Sequence, residues 1–288
     1  MNYRHAYHAG NFADVLKHSV LALVLQHLKL KETPFRVIDT HAGIARYDLA
    51  GPEAFKTGEW RDGIGRLWGT RAPSMPADAA AYLAPYLETV AAQNASGDLV
   101  YYPGSPQVAL QLMRRTDRLI VNELHPDDAD ALDASIGGDR RVKILQIDGY
   151  TALKSLLPPR ERRGLILIDP PFEERDEFDR LARGLREATR RFATGIFVLW
   201  YPIKDRNAVT AFHEAITAAR YARAITTELV VGATRNAHAL NACGLLVINP
   251  PHTLKAAAET LLPYFAQCLA QGSGAVSQVQ WLGTETPA

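Results

Sequence analysis

Leu165-Ile166-Leu167-Ile168-Asp169-Pro170-Pro171-Phe172 is the stretch from which the fold of this chain is read. Four consecutive apolar residues predict a strand buried on both faces of a parallel sheet. Pro170 and Pro171 have no amide hydrogen, so the ladder stops and the chain leaves the carboxyl edge of the sheet. Open α/β sheets bind their ligands along that edge. Asp169 is therefore expected at the rim of a pocket, beside stiff backbone carbonyls and an aromatic face. The competing reading is purely structural: a strand that ends in a rigid Asp-Pro-Pro turn.

The residue types in this order suit one chemistry. The exocyclic amine of adenine is a poor nucleophile, because its lone pair is delocalised into the ring. Asp169 and the Pro170 carbonyl are both acceptors; together they can take the two N–H groups and favour a tetrahedral, nucleophilic nitrogen. Phe172 can stack on the ring. Asp/Asn-Pro-Pro-aromatic is the signature of amino-group methyltransferases that use S-adenosylmethionine (AdoMet).

Outward from this stretch, other strands end in acids. Phe35-Arg36-Val37-Ile38-Asp39 reads as the first strand, followed by the small-residue turn Thr40-His41-Ala42-Gly43. One glycine stands where the dinucleotide fingerprint needs three, which weakens a nicotinamide Rossmann reading. The next strand, Arg118 to Glu123, falls far beyond the spacing of roughly 20 residues expected after the glycine turn. Residues 47–100 account for the excess. They show no buried strand pattern, hold several Gly and Pro residues and an alanine-rich stretch, Ala77 to Ala92, and read as a helical insertion. The domain boundaries are accordingly 1–46 and 101–288 for a Rossmann-like domain, with 47–100 inserted. Ser105-Pro106 reads as an N-cap and first helical position, and the helix start offers free N–H groups to an anion such as a carboxylate. Glu123 has two acceptor oxygens for two ribose hydroxyls. Asp148, at the end of the strand begun by Val142, is expected to accept from an adenine amine. A mostly parallel, seven-stranded α/β sheet results, with Gly195 to Pro202, Ala224 to Val231 and Gly244 to Asn249 as its last strands and a helix from Leu254 to Leu269 closing the chain. Asn249-Pro250-Pro251-His252 repeats the signature, but it comes too late in the fold and carries His252 in place of the aromatic.

Composition sets outer bounds. The chain has 288 residues, 47% of them hydrophobic, which suits one large domain with an insertion rather than disorder. With 32 Lys+Arg against 31 Asp+Glu, no global basic field advertises nucleic acid, so any RNA contact must be local. The arginines on either side of the signature strand, from Arg160 to Arg191, read as a solvated helix face because acids are interleaved with them. Cys243 and Cys268 show no metal or redox spacing and suggest a reducing cytosol. The N-terminus lacks the shape of a signal peptide, and the longest apolar run, Val20 to Leu25, is too short to span a bilayer. Cytoplasmic localisation is expected. A helix is predicted from about Asn11 to Leu30, with Leu16, Val20 and Val24 on one face and Asn11 or Asp14 as its cap. His5 and His8 have a loose metal-like spacing with no further ligand cluster, so no metal is expected.

The segment Tyr3-Arg4-His5-Ala6-Tyr7-His8-Ala9-Gly10-Asn11-Phe12-Ala13-Asp14-Val15-Leu16-Lys17-His18 closely resembles the start of the RlmJ family. So do Asp39-Thr40-His41-Ala42-Gly43, Tyr101 to Pro106, Glu123-Leu124-His125-Pro126 and Leu165 to Phe172. The resemblance covers nearly the whole chain. It implies a Rossmann-like, class I AdoMet-dependent fold and methylation of adenine N6 in 23S ribosomal RNA, naked or in an early assembly intermediate. It implies that His18, His41, Ser105, Glu123, Asp148, Gly149 and Asp169 line the cofactor site, and that Asp169 is catalytic. It also implies that Tyr3, with His5 and Lys17, meets the target adenine from a mobile segment spanning residues 1–18. Family members often carry tyrosine where this chain has Phe172, which keeps the stacking face and lacks the hydroxyl. The alternatives are a DNA adenine or protein glutamine methyltransferase, an RNA-binding module without activity, and a nicotinamide oxidoreductase.

Overall fold

The computed structural model describes residues 4–69, 74–233 and 239–285. Its centre is an eight-stranded sheet. In chain order the strands of this sheet are β1 (Arg36–Asp39), β4 (Arg118–Asn122), β5 (Val142–Leu145), β6 (Gly164–Ile168), β7 (Ile196–Pro202), β8 (Ala224–Val230), β9 (Ala242–Ile248) and β10 (Val276–Trp281). Their spatial order is β10-β8-β9-β7-β6-β1-β4-β5. β5, β4, β1, β6 and β7 run parallel, whereas β9 is antiparallel to both β7 and β8. The order turns around at β1, which lies between β4 and β6, and such a reversal opens a crevice at the carboxyl edge.

The aliphatic run of β6 explains the layering. Leu165 and Leu167 join the core on one face of the sheet, Ile166 and Ile168 that on the other. All four are at most 1% exposed, and each contributes roughly 1.5–3 kcal/mol by leaving water. One face is covered by α1 (Phe12–Lys29), α4 (Ser105–Leu112), α5 (Pro126–Ile136) and α9 (Leu254–Cys268). The other is covered by α6 (Gly149–Leu156), α7 (Glu177–Arg191) and α8 (Arg206–Ala218). Asn11 caps α1 by accepting from the amides of Ala13 and Asp14, both at 3.0 Å. Because α1 packs on the sheet and on α4, α9 and the insertion, it is buried nearly all round, including the polar side chains of Asp14, Lys17, His18 and Ser19.

The chain leaves the sheet after β1 along β2 (Arg46–Asp48) and returns along β3 (Tyr101–Pro103), the two pairing antiparallel. Between them lie α2 (Pro52–Thr57), two short 3-10 turns and α3 (Ala77–Gln93). This excursion is tied to the N-terminal segment. The Ile64 amide donates to Gly10 O at 2.8 Å, Asn11 Nδ2 donates to Glu59 Oε2 at 3.0 Å, and Thr57 Oγ1 donates to Tyr7 O.

Two expectations are corrected. The sheet has eight strands rather than seven, because Val276–Trp281 adds an edge strand antiparallel to β8. Its alternating, half-exposed residues follow a Gly/Ser turn that reads as a loose tail. Ser105 is not the N-cap of α4. Gly104 holds that position, and Ser105 is the first helical residue, with its hydroxyl turned elsewhere.

Candidate functional site

The carboxyl edge at the β1 reversal carries a cleft of about 570 Å³. His5, Lys17, His18, His41, Ser105, Glu123, Asp148, Gly149, Asp169, Pro170 and Phe172 all line it, while Asp39 is buried behind Ser105 and does not line it. Tyr3 lies outside the described residues.

At one side the acids that follow or end β1 and β4 are held by nearby hydroxyl and backbone donors. Asp39, in register with Val121 of β4 and Leu167 of β6, ends β1. It accepts from Ser105 Oγ at 2.6 Å and from the His41 amide at 3.3 Å. Burial pushes its carboxyl up to about 6, against the lowering effect of those two bonds, and the nearby Asp169 adds to the rise. Glu123 follows β4 directly. Its Oε2 accepts from the Gly43 amide and its Oε1 from the His125 amide, each at 2.9 Å, which fixes the carboxylate while leaving lone pairs toward the cleft. Gly43 sits at φ +62°, and a Cβ there would lie 2.1 Å from Tyr47 Oη. Only glycine fits this turn.

Farther along, β5 stops at Leu145, and Asp148 is not a strand end: it caps α6 by accepting from the Thr151 amide at 2.8 Å. Gly149 lies against His41, since a Cβ at 149 would come within 2.5 Å of His41 Nε2. Burial lowers the His41 imidazole to about 4, so it is neutral. Thr40 Oγ1 donates to Leu167 O at 3.1 Å and stands 2.9 Å from His41 Nδ1. With the hydroxyl proton so used, Nδ1 carries the imidazole hydrogen and Nε2 is an acceptor. Tyr150 donates to Glu177 Oε1 at 2.5 Å, and the Arg180 guanidinium lies 4.6 Å over its ring. These three residues were not singled out from the sequence, where they read as ordinary helix positions.

On the other side, Asp169 follows β6 directly and its Oδ2 lies 2.5 Å from Lys17 Nζ. The same ammonium donates to Asp14 Oδ1 at 2.8 Å. Asp14 is a hub that the sequence presented only as a possible cap. Its Oδ2 accepts from the Gly10 amide at 2.8 Å and stands 2.9 Å from His5 Nε2. Burial opposes the charge on Asp14, but His5 and Lys17 hold its carboxyl well below the usual range. Burial likewise opposes the charge on Lys17, and Asp14 and Asp169 outweigh it, so the ammonium stays protonated. Phe172 adopts φ +51°, uncommon for a residue with a Cβ. Its ring packs edge-on against Phe178 and Trp200, with centroids 5.0 and 5.9 Å apart. His18 is buried, and burial lowers it to about 3.

Acids outnumber cations around the cleft, where Asp14, Glu123, Asp148, Asp169, Glu173, Glu174 and Glu177 face Lys17, Arg180 and Lys204. That balance suits a ligand carrying positive charge, hydroxyls and an amine, and it repels phosphate. Among the described residues there is no group of His, Cys, Asp and Glu that could hold a metal ion, and no helix is long and apolar enough to cross a membrane.

Known proteins resemble the chain throughout its length. The family described as "RsmJ: Ribosomal RNA large subunit methyltransferase D, RlmJ" matches residues 32–283. "Ribosomal RNA large subunit methyltransferase J" of Haemophilus influenzae is 40% identical, covering 99% of this chain and 100% of that protein. The protein of the same name from Escherichia coli K12 is also 40% identical, with the same coverage. A crystal structure of a Legionella pneumophila protein superposes with a TM-score of 0.86 at 30% identity, over 95% of this chain and 98% of that one. With the reversed parallel sheet, the acid-lined cleft and these likenesses in agreement, the chain belongs to the RlmJ family of ribosomal RNA large subunit methyltransferases.

Proposed function

We propose that this methyltransferase transfers the methyl group of AdoMet to N6 of one adenine in 23S ribosomal RNA. The observation that supports the site assignment most directly is the position of Asp169. It stands at the carboxyl end of a central parallel strand, clamped by Lys17, in the same cleft as Glu123 and Asp148. AdoMet supplies an electrophilic methyl on a sulfonium. The residues present suit it: Gly43 and Gly149 leave backbone surface where any side chain would collide, His18 Nε2 is a buried polar atom with no hydrogen-bond partner, and the acids favour a cation. Glu123 would hold the ribose hydroxyls, Asp148 and Gly149 the adenine end, and Ser105, His18 and His41 the remainder.

The adenine must leave its stack to enter, because a cleft of this size admits a single base and not a duplex. Asp169 and the Pro170 carbonyl accept the two N–H bonds of the amine, and Phe172 offers a stacking face held by Phe178 and Trp200. Lys17 holds and aims the Asp169 carboxylate, and Asp169 takes the proton shed as the nitrogen becomes methylated. Alignment of amine and methyl supplies much of the rate. His5, anchored to Asp14, and Tyr3 belong to the base-contacting end. The substrate is free rRNA or an early assembly intermediate, and the protein acts in the cytoplasm.

Two measurements test this reading. Asp169→Ala is expected to abolish methyl transfer while AdoMet binding weakens only modestly; retained turnover removes Asp169 from its role. In one AdoMet assay, rRNA, DNA and a glutamine-containing peptide compete as acceptors, and methylation of DNA or peptide in preference to rRNA would reassign the substrate.

A further inference from the structure

The insertion reaches the cofactor side of the cleft through a buried chain of hydrogen bonds. Tyr86 of α3 and Tyr102 of β3 are both 0% exposed. Their hydroxyl oxygens are 3.0 Å apart, and Tyr102 Oη stands 2.8 Å from His18 Nδ1. The imidazole also stacks on the Tyr102 ring, with centroids 5.6 Å apart and planes inclined by 25°. The far nitrogen, His18 Nε2, is buried without a hydrogen-bond partner. The nearest acidic oxygen, Asp14 Oδ1, is 4.0 Å away, beyond hydrogen-bond reach.

The direction of the protons in this chain follows from counting them. Tyr86 Oη has Tyr102 as its hydrogen-bond partner. If Tyr86 donates to Tyr102, and Tyr102 donates to His18 Nδ1, each hydroxyl proton is used. A neutral imidazole then carries its one hydrogen on Nε2. The reverse polarity strands the Tyr86 proton in the core and leaves Nε2 as a buried acceptor with nothing to accept, two orphaned groups instead of one. Each such group costs about 1–3 kcal/mol, so the first polarity wins. The one group left over, the Nε2 hydrogen, belongs to a residue lining the cleft. Its proximity to the Asp14 carboxylate favours the same placement. Burial, which holds His18 neutral, is what makes the tautomer decisive.

We infer that Tyr102 is a positioning residue that sets the His18 tautomer, with Tyr86 behind it taking no direct part, so that Nε2–H is presented to the cleft as a donor for the carboxylate at the amino-acid end of AdoMet. At the amino-acid end the carboxylate is the fitting acceptor, because the neighbouring sulfonium and ammonium accept nothing. Ser105 does not compete for the role, since its hydroxyl already donates to Asp39. The inference rests on AdoMet as the ligand and goes beyond it in assigning Tyr102 of β3 a part in cofactor recognition.

The test has two arms. Nitrogen-15 NMR of the ligand-free protein reads the His18 tautomer directly. The wild type is expected to show the Nε2–H form, and a pure Nδ1–H form would overturn the proposal whatever the ligand. Calorimetry then compares S-adenosylhomocysteine with 5′-methylthioadenosine, which lacks the aminocarboxylate. Tyr102→Phe preserves the packing and removes the proton donated to Nδ1. It should weaken S-adenosylhomocysteine binding about tenfold and leave methylthioadenosine within about twofold, the size of one hydrogen bond to a charged group. Tyr86→Phe should change both by less than about twofold, since Tyr102 can still donate. Equal loss of both ligands in Tyr102→Phe would mean a merely structural role and would overturn the inference. If neither ligand binds the wild type, the AdoMet reading fails, and the NMR arm still decides the tautomer.

Discussion

Two segments of this chain carry almost the same four residues, and the fold uses them in opposite ways. Asp169-Pro170-Pro171-Phe172 follows β6, a parallel strand, and emerges at the carboxyl edge, where the cleft lies. Asn249-Pro250-Pro251-His252 follows β9, which runs antiparallel. Ile248 at its end pairs with Phe197 and Ala224, near the starts of β7 and β8, and so lies at the opposite edge. There the Asn249 amide donates to the carbonyls of Ala193 and Gly195, both at 2.8 Å, and Pro250 O accepts from Arg223. Each segment holds one residue in the left-handed region, Phe172 at φ +51° and Asn249 at φ +54°. In the first, the acid is clamped by a lysine and faces open space. In the second, the polar side chain is spent on closing a turn. Strand direction, not the tetrapeptide, separates a reactive edge from a structural corner.

The largest expected effect comes at the first segment. Asp169→Ala should lower the single-turnover methylation rate by at least about 10³-fold, on the scale of losing a preorganised charged group at the reacting atom. Asn249→Ala should leave that rate per folded molecule within about twofold, as a turn residue remote from the chemistry does. A comparable rate loss at Asn249 would break the contrast. Next, Lys17→Met leaves Asp14 and Asp169 facing each other without their shared cation, which should cost about 4 kcal/mol of stability in urea unfolding.

A third prediction extends the contrast to the neighbouring parallel strand. In the folded protein the Asp39 carboxyl is raised to about 6, so the folded state binds its proton more tightly than the unfolded chain does. The stabilisation is full below the ordinary carboxylate pKa and is lost as the pH rises through about 6. Asp39→Asn should therefore raise stability by about 2–3 kcal/mol at pH 7.5, a gain that shrinks as the pH falls below 6. Thermal melts at pH 5 and 7.5 read the difference. The smallest effect belongs to the turn. Asn249→Ala should lower stability by about 1–2 kcal/mol, for two carbonyls left without a donor and a Cβ residue without local bonding at positive φ.

Much of this was legible in the sequence, because the informative residues are those whose burial leaves no alternative. An unbroken Leu-Ile-Leu-Ile run has one natural home, and acids just past such runs point to a ligand edge. The edge strand β10 is not legible, since Val276–Trp281 alternates in exposure and gains its order by pairing with β8 and packing on α9. The buried polar residues of α1 were only half legible. Lys17 and His18 drew notice through resemblance, but nothing local shows that Asp14 gathers His5, Gly10 and Lys17 around itself. Ser105 was read as a cap because serine before proline usually is one; the nearby Asp39 claims its hydroxyl instead. Tyr86 and Tyr102 gave no signal at all, because a buried tyrosine looks like any other aromatic until its oxygen is located.

The bonds between Gly10 and Ile64, and between Asn11 and Glu59, have a consequence for how such a protein can diverge. They make the excursion between β2 and β3 a splint for the chain's leading end, so the two cannot drift independently. Shortening the splint would leave the acid at 169 where it stands and slacken the segment that carries His5 and His8 into the cleft.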